Sequence, residues 1–509
     1  MNLKRIAKEL ERAFPQLTDL VLSPSLFWLR RAAYAALPRA REYVSFRYFS
    51  QGEDDLALRE LGGREAGSRT AHLVAEMRQV LAVGALDDPR PGDRADHTSN
   101  GDVDVVHALN HELAVGKTGY AHRSRLIMQS VSGAGVRLLA CTSPADETSA
   151  SGGNAVPGID ADTLYRRLDP VSTVGSERPE AAYIAAYADR LASVASRHGA
   201  RIIHTHSNYA NGLAGAWAAR RSGIRSIYEI RGLWHVTRAS LDPGFEKTRL
   251  YEYQDVMERE AVRQSDAVIV PSGSLRDWVV AQGQADEKVF VVRPGIDTTR
   301  IAPRPRAIAV ARSLDVENRF VLGYLGSITA YEGIDTILRA AALCIANGVE
   351  PVVVLVGDGP VVPQLKNLAR KLGIQAYVRF AGHVGGDIND YYSIFDLCLV
   401  LRRDVPVSRM TPPLKPGEIM AAGKPLLVSK LPPLLEFGEE GISRISVDPD
   451  NVDALAEQII ELASDRERCE RLGASARQWV CENLSQQKAG SSYLALYETL
   501  GALPMRDAG

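Results

Sequence analysis

Several stretches of the chain hold residue types that could bind a phosphate, a sugar or a transferring group. Gly326 directly follows the apolar run 321–325, and Gly357-Asp358-Gly359-Pro360 follows 352–356. A glycine after a strand lets the backbone approach a phosphate while the next helix points its N-terminus at it; it also serves a plain tight turn. Gly357-x-Gly359 has the start of a dinucleotide fingerprint, but Val362 stands where the third glycine belongs. The segment 409–425, RMTPPLKPGEIMAAGKP, sets Arg409 and Lys415 near Glu418. Two cations suit a diphosphate, and a free carboxylate beside them can accept the hydroxyls of a ribose. Glu418 also falls in the first turn of a short helix, where the helix dipole and a local ion pair would satisfy it without any ligand. Earlier, 202–208 reads IIHTHSN, so His204 and His206 share one face of a strand, with Asn208 beyond its end. Such a pair is either a set of satisfied core groups or a pair of metal ligands. No carboxylate or thiol at ligand spacing accompanies it, so no metal is expected. The next strand ends in Tyr228-Glu229-Ile230-Arg231-Gly232-Leu233-Trp234, a charged and aromatic cluster that fits an acceptor or sugar contact, or a capped loop.

These groups sit at strand ends, so the elements that carry them decide the architecture. From 103 onward short apolar runs alternate with amphipathic ones. Strands are expected at 103–109, 136–141, 202–206, 226–230 and 267–270, with helices at 123–133 and 181–198. After Arg293-Pro294-Gly295 the pattern resumes, with strands at 320–325, 351–356, 378–381, 397–401, 425–428 and 443–447 and helices at 334–347 and 361–372. This alternation predicts an α/β chain with parallel sheets covered on both faces. Two such runs imply two Rossmann-like domains facing a cleft, with ligands at the carboxyl ends of the strands. The expected boundaries are a helical N-terminal extension at 1–86, a linker at 87–102, a first domain at 103–300, a second at 301–485, and a C-terminal helix at 486–509 returning toward the first.

The 509 residues carry 60 Lys and Arg against 62 Asp and Glu, a net charge of −2, which argues against a chain-wide footprint for nucleic acid. Five scattered cysteines form no C-x-x-C pair, pointing to a reducing compartment. No apolar leader follows the N-terminus, and the longest uncharged stretch, 202–219, holds His204, His206, Asn208 and Asn211. A cytoplasmic protein is expected. The first 50 residues differ from the rest: nine Lys or Arg face four Asp or Glu, and eight of the 33 aromatic residues lie there. The stretch 26–49 has two readings. It is a basic aromatic surface for an anionic membrane, which would make the protein peripheral on the inner membrane face, or it packs on the first domain.

Five segments in order resemble a retaining glycosyltransferase of the GT-B fold, family 4 (group 1), closest to the bacterial exopolysaccharide and exosortase-associated branch. They are Gly116-Lys117-Thr118-Gly119-Tyr120-Ala121-His122-Arg123; His204 to Tyr209; Tyr228 to Trp234; Gly326-Ser327-Ile328 with Tyr331-Glu332-Gly333-Ile334-Asp335; and Thr411 to Gly423. The resemblance covers about 103–495. It implies that the loop at Gly119 approaches the donor, that one of His204 and His206, with Arg231, serves the reacting end of the sugar, and that Glu418 holds the ribose. The family's first signature glutamate falls on Met410, and its phosphate-binding Arg and Lys fall on Ser327 and Glu332. Gly326, Ser327, Arg402, Arg409 and Lys415 are then the candidates for the donor diphosphate, and Asn208, Glu229 and Trp234 for the acceptor or sugar.

The resemblance further implies transfer of a sugar from a nucleoside diphosphate sugar to a glycan or polyprenyl-linked acceptor in polysaccharide or glycoconjugate biosynthesis. Configuration would be retained and no metal or other cofactor used, because cationic side chains stabilise the leaving diphosphate. The rivals are an NAD-dependent oxidoreductase, disfavoured by the incomplete fingerprint, a nucleotide-sugar epimerase, and a sugar-nucleotide-binding partner subunit without activity, to which Ser327, Glu332 and Met410 point.

Overall fold

The computed structural model of the chain describes residues 69–88, 101–110, 119–144, 164–168, 180–501 and 503. The stretch 26–49, most of the expected linker and Gly116, Lys117 and Thr118 lie outside the described residues.

Two parallel sheets form the frame. The first contains β1 (Val105–Leu109), β2 (Leu138–Thr142), β3 (Leu164–Arg167), β4 (Ile202–His206), β5 (Arg225–Glu229), β6 (Ala267–Val270) and β7 (Val289–Val291), in the order β3-β2-β1-β4-β5-β6-β7. The second contains β8 (Val321–Leu325), β9 (Val352–Val356), β10 (Val378–Gly382), β11 (Leu397–Val400), β12 (Leu426–Ser429) and β13 (Ile445–Val447), in the order β10-β9-β8-β11-β12-β13. The chain is thus α/β with two Rossmann-like units. Central strands such as β9, VVVLV, are buried along their whole length, as strands covered by helices on both faces must be. Each order reverses once, between β1 and β4 and between β8 and β11. At such a switch point the loops diverge and leave a crevice at the carboxyl ends of the strands.

Register decides what meets there. β1 and β4 align His107 with His204, and β4 and β5 align His206 with Glu229. Both pairs therefore stand side by side on neighbouring strands.

Sequence order and spatial order part at the end of the chain. The last helix, Gln486–Thr499, follows the second unit but packs on the first, against the helix Gly119–Gly133. Gly490 permits the approach: a Cβ there would lie 2.2 Å from the Ser130 carbonyl oxygen. Tyr493, Leu496 and Tyr497 from this helix join Val105, Leu109, Ile127 and Ile202 in one core. At the other terminus, the helix Arg69–Val83 buries Val74, Met77 and Val80 in the first unit's main core. Glu76 accepts hydrogen bonds from the Glu180 and Ala181 backbone N–H groups, capping the helix Glu180–His198. Among the described residues, no helix is long and apolar enough to cross a membrane, and all five cysteines are free thiols, four of them buried.

Several elements differ from the sequence expectation. β3 and β7, of four and three residues, were too short for a periodic signal. The helix expected from Arg123 begins at Gly119, which brings Tyr120, His122 and Arg123 into its first turns.

Candidate active site

The second unit supplies a cluster of cations at the crevice between β8 and β11. Gly326 ends β8 with φ +143°, and a Cβ there would lie 2.4 Å from Lys415 Cε, so only glycine lets the lysine lie across the strand end. Lys415 opens the short helix Lys415–Ala421, and Arg402 follows β11. Between them sits Glu332, 2% exposed, accepting from Lys415 Nζ at 2.7 Å and from Arg402 Nη2 at 3.0 Å. Burial pushes the Glu332 carboxyl up, but the Arg402 and Lys415 charges outweigh that and hold it at about 2. The trio carries one net positive charge. Arg402 also donates to the Thr411 carbonyl, and the Lys415 ammonium lies 4.8 Å from the Tyr324 ring centroid. Ser327 is exposed at the same strand end.

Glu418, 7% exposed, points into this crevice with both carboxylate oxygens engaged. Oε2 accepts from the Tyr392 hydroxyl at 3.1 Å, and Oε1 accepts from His122 Nε2, of the first unit, at 3.0 Å. The two units meet here in other ways too. Arg123 donates to the Arg231 carbonyl of its own unit and to the Pro412 carbonyl of the other. Burial and the neighbouring Arg231 charge pull the Arg123 guanidinium down to about 10. The Ser272 hydroxyl donates to the Met410 carbonyl.

The first unit supplies a buried polar network opposite. His204 and His206 are both 0% exposed, as is His107 from β1. Arg231 Nη2 lies 2.7 Å from His206 Nδ1. A guanidinium only donates, so Nδ1 is bare and the ring proton is on Nε2. That proton points at His107 Nδ1, 2.9 Å away, so His107 in turn carries its proton on Nε2, which has no partner among the described residues. His204 Nε2 lies 3.2 Å from Glu229 Oε2, and its Nδ1 is 2.9 Å from the Tyr497 hydroxyl. Burial keeps His206 and His107 well below the usual histidine range, with the Arg231 charge adding to it at His206, and burial lowers His204 as well. All three are neutral. Burial opposes ionisation of Glu229, yet the His204 ring beside it and the Arg231 charge hold it well below the usual carboxylate range. Arg231 Nε reaches Glu229 Oε1 at 3.2 Å, and its Nη1 donates to the Ser124 hydroxyl at 2.6 Å. The three imidazoles offer one ligand atom each within 4.8 Å of one another. The Arg231 guanidinium already stands beside His206 as the cation of this cluster.

Several sequence expectations are corrected by this geometry. Arg409 does not join Lys415 and Arg402; it is exposed on the short helix Pro406–Met410 and pairs with Asp404. Glu229 is not an acceptor contact at the surface, because it lies inside the network at 4% exposure. His204 does not face the cleft, because both of its ring nitrogens face inward partners. His206, at the carboxyl end of β4, is buried as well and reaches toward the cleft only through Arg231. Asn208 lies just beyond, half-buried, with its Oδ1 unpartnered among the described residues. Trp234 is 39% exposed at the start of the helix Trp234–Ala239, and Gly119 is exposed at the head of its helix. His107, His122, Arg123, Tyr392, Tyr493 and Tyr497 were not foreseen. The sequence signals were the place of His122 and Arg123 at the end of the segment that begins at Gly116, and the i, i+4 spacing of the two tyrosines on one helix.

Comparison with known proteins agrees with this layout. Residues 133–300 match the family model described as Glycosyltransferase Family 4, and residues 307–479 match Glycosyl transferases group 1. The chain is 28% identical to a D-inositol 3-phosphate glycosyltransferase of Rhodococcus jostii, over 58% of this chain and 66% of that protein. It is also 28% identical to a GDP-mannose-dependent alpha-(1-6)-phosphatidylinositol monomannoside mannosyltransferase of Mycobacterium tuberculosis, over 37% of this chain and 50% of that one. The alignments therefore span half to about two thirds of these relatives. In fold, the chain resembles Anabaena HepE in complex with UDP, with a TM-score of 0.60 at 17% identity over 79% of this chain and 100% of that one. It also resembles the sucrose-phosphate synthase of Thermosynechococcus elongatus, with a TM-score of 0.63 at 18% identity over 79% and 99%. With one matched region on each parallel sheet and the crevice between them, the chain belongs to the family 4 (group 1) glycosyltransferases of the GT-B fold.

Proposed function

We propose that the chain transfers a hexose from a nucleoside diphosphate sugar to a glycan or polyprenyl-linked acceptor, with retention of anomeric configuration. The observation that carries this reading is the Lys415–Glu332–Arg402 cluster over Gly326, one turn from Glu418. In this reading the diphosphate lies over Gly326 and draws Lys415 and Arg402 away from Glu332. The ribose hydroxyls take the place of His122 on Glu418. As the anomeric C–O bond breaks, negative charge grows on the diphosphate, and the two cations stabilise it in a site shielded from water. They supply the charge that a metal ion supplies in other enzymes, so no metal enters the proposed step. His206, Arg231 and Asn208 stand on the facing unit, toward the sugar.

The test is donor hydrolysis and transfer with UDP- and GDP-sugars, followed by NMR of the anomeric proton, with EDTA present in a parallel sample. Retained configuration and EDTA-resistant turnover support the reading, and an inverted centre or no turnover contradicts it. The further step, to polysaccharide biosynthesis at the cytoplasmic face of a membrane, rests on the basic, aromatic stretch 26–49. Flotation of the intact chain with anionic vesicles at low salt tests it, and no binding refutes it. A second reading, a sugar-nucleotide-binding partner subunit without activity, is favoured by one observation: Glu332 already neutralises one of the two cations. Saturable donor binding without turnover would select it.

A further inference from the structure

We propose that Tyr493 and Tyr497 of the last helix are positioning residues for sugar transfer, acting through the buried histidine–glutamate–arginine network of the first unit. The inference rests on the reading of Arg231 and His206 as the groups behind the reacting end of the sugar.

Both tyrosines are almost completely buried, at 1% and 0% exposure, yet both hydroxyls are spent on this one network. The Tyr493 hydroxyl lies 3.0 Å from Glu229 Oε2. Glu229 is ionised and can only accept, so Tyr493 donates. The Tyr497 hydroxyl lies 2.9 Å from His204 Nδ1. His204 Nε2 lies 3.2 Å from Glu229 Oε2, close but not aligned as a hydrogen bond, and it carries the ring proton, because a bare nitrogen there would set its lone pair against the carboxylate. Its Nδ1 is therefore bare, and Tyr497 donates to it. Tyr497 thus holds the His204 ring from its far side, from 293 positions away in sequence.

The consequence runs outward to the cleft. Glu229 accepts at Oε2 from Tyr493, with His204 Nε2 beside it, which leaves Oε1 to Arg231 Nε. Arg231 held in this way extends its other nitrogens to His206 and to Ser124. Its backbone N–H donates to the Ser207 hydroxyl, one residue before Asn208. Loss of either tyrosine hydroxyl frees Glu229 or His204 to turn. The guanidinium then loses the one carboxylate that orients it.

The placement of the tyrosines also ties this network to the joint between the two units. The chain enters the last helix at Ser485. There the Ile296 N–H donates to the Leu484 carbonyl and the Gln486 N–H to the Ile296 carbonyl, at the crossing from first unit to second. A shift of one unit against the other is therefore carried into the last helix, and through the tyrosines to Glu229.

The experiment uses the full chain with Tyr493→Phe and Tyr497→Phe, which remove only a hydroxyl. Donor KM and kcat are measured with the nucleotide sugar that the wild type turns over, and the ring nitrogens of 15N-labelled histidine are observed by NMR. The expected result is a fall in kcat of about tenfold for each variant with donor KM changed by less than about twofold. In Tyr497→Phe the His204 nitrogen signals move away from the position of a bare, hydrogen-bonded Nδ1. An unchanged kcat in both variants overturns the proposal. So does a KM that rises in step with the loss of kcat, which a displaced helix would produce. If the wild type turns over no nucleotide sugar, the proposed reaction fails, and the nitrogen spectrum decides alone. An unmoved His204 signal then refutes the hold of Tyr497 on the network, and a moved one upholds that hold while the role in transfer falls with the reaction.

Discussion

Replacing Glu332 with glutamine separates what this residue does for the fold from what it does to the donor site. In the folded chain its carboxyl sits at about 2 instead of 4.5, which corresponds to about 3 kcal/mol of stabilisation at neutral pH. The acid is a depressed one. Its contribution is present above pH 4.5 and is lost as pH falls toward 2. Glutamine keeps the shape and removes the charge, leaving Lys415 and Arg402 as two buried cations with no counter-charge. For a unit of this size, about 3 kcal/mol lowers the unfolding midpoint by roughly 6–12 °C. The donor should respond in the opposite direction. A diphosphate no longer competes with Glu332 for Lys415, and the cluster offers two positive charges where it offered one. Donor affinity should therefore tighten by at least about tenfold, roughly 1.4 kcal/mol of the charge freed. Calorimetric unfolding and titration of Glu332→Gln with a nucleoside diphosphate measure both. An unchanged midpoint, or a donor affinity that weakens, would refute the view that the carboxylate stabilises the empty site and competes with the ligand.

Two further predictions concern other carboxylates. Glu418→Ala should raise the dissociation constant of a nucleoside diphosphate at least about tenfold through loss of the ribose contact, with an unchanged affinity for inorganic pyrophosphate; titration with the two ligands checks this. Glu258, whose carboxyl accepts from the Tyr228 hydroxyl at 2.6 Å, is pushed up by burial to about 7. A raised acid stabilises the fold below pH 4.5, and its contribution is lost as pH rises through about 7. Glu258→Gln should flatten the stability profile over this window and gain up to about 3 kcal/mol at pH 8 relative to wild type; urea unfolding at pH 5 and pH 8 would show it.

The strand–helix alternation was plain in the sequence because central strands such as β9 are buried on both faces and must be apolar throughout. β3 and β7, at the sheet edges, are too short to show a period. In the donor site Lys415, Arg402 and Glu418 were legible because each lies within two residues of a strand end or at the start of a short helix. Arg409 lies close in sequence but sits on a helix that turns it toward Asp404. Glu332 was visible as a residue at an unexpected position, but its role as counter-charge depends on two side chains more than 65 residues away. The histidine network was the least legible part. His107 reads as one polar residue in an apolar strand, and Tyr493 and Tyr497 as an ordinary helix face. Only the parallel register and the return of the last helix bring them to Glu229, across 122 and 264 residues.

The central claim is that the cations over Gly326 hold the diphosphate of a sugar donor. Isothermal titration of the intact chain and of Lys415→Ala with UDP- and GDP-sugars tests it most directly. The account predicts saturable binding of at least one of these donors to the wild type, and a dissociation constant raised by at least about tenfold in the variant. Equal affinity in the two proteins, or no saturable heat with any nucleoside diphosphate sugar, would contradict it.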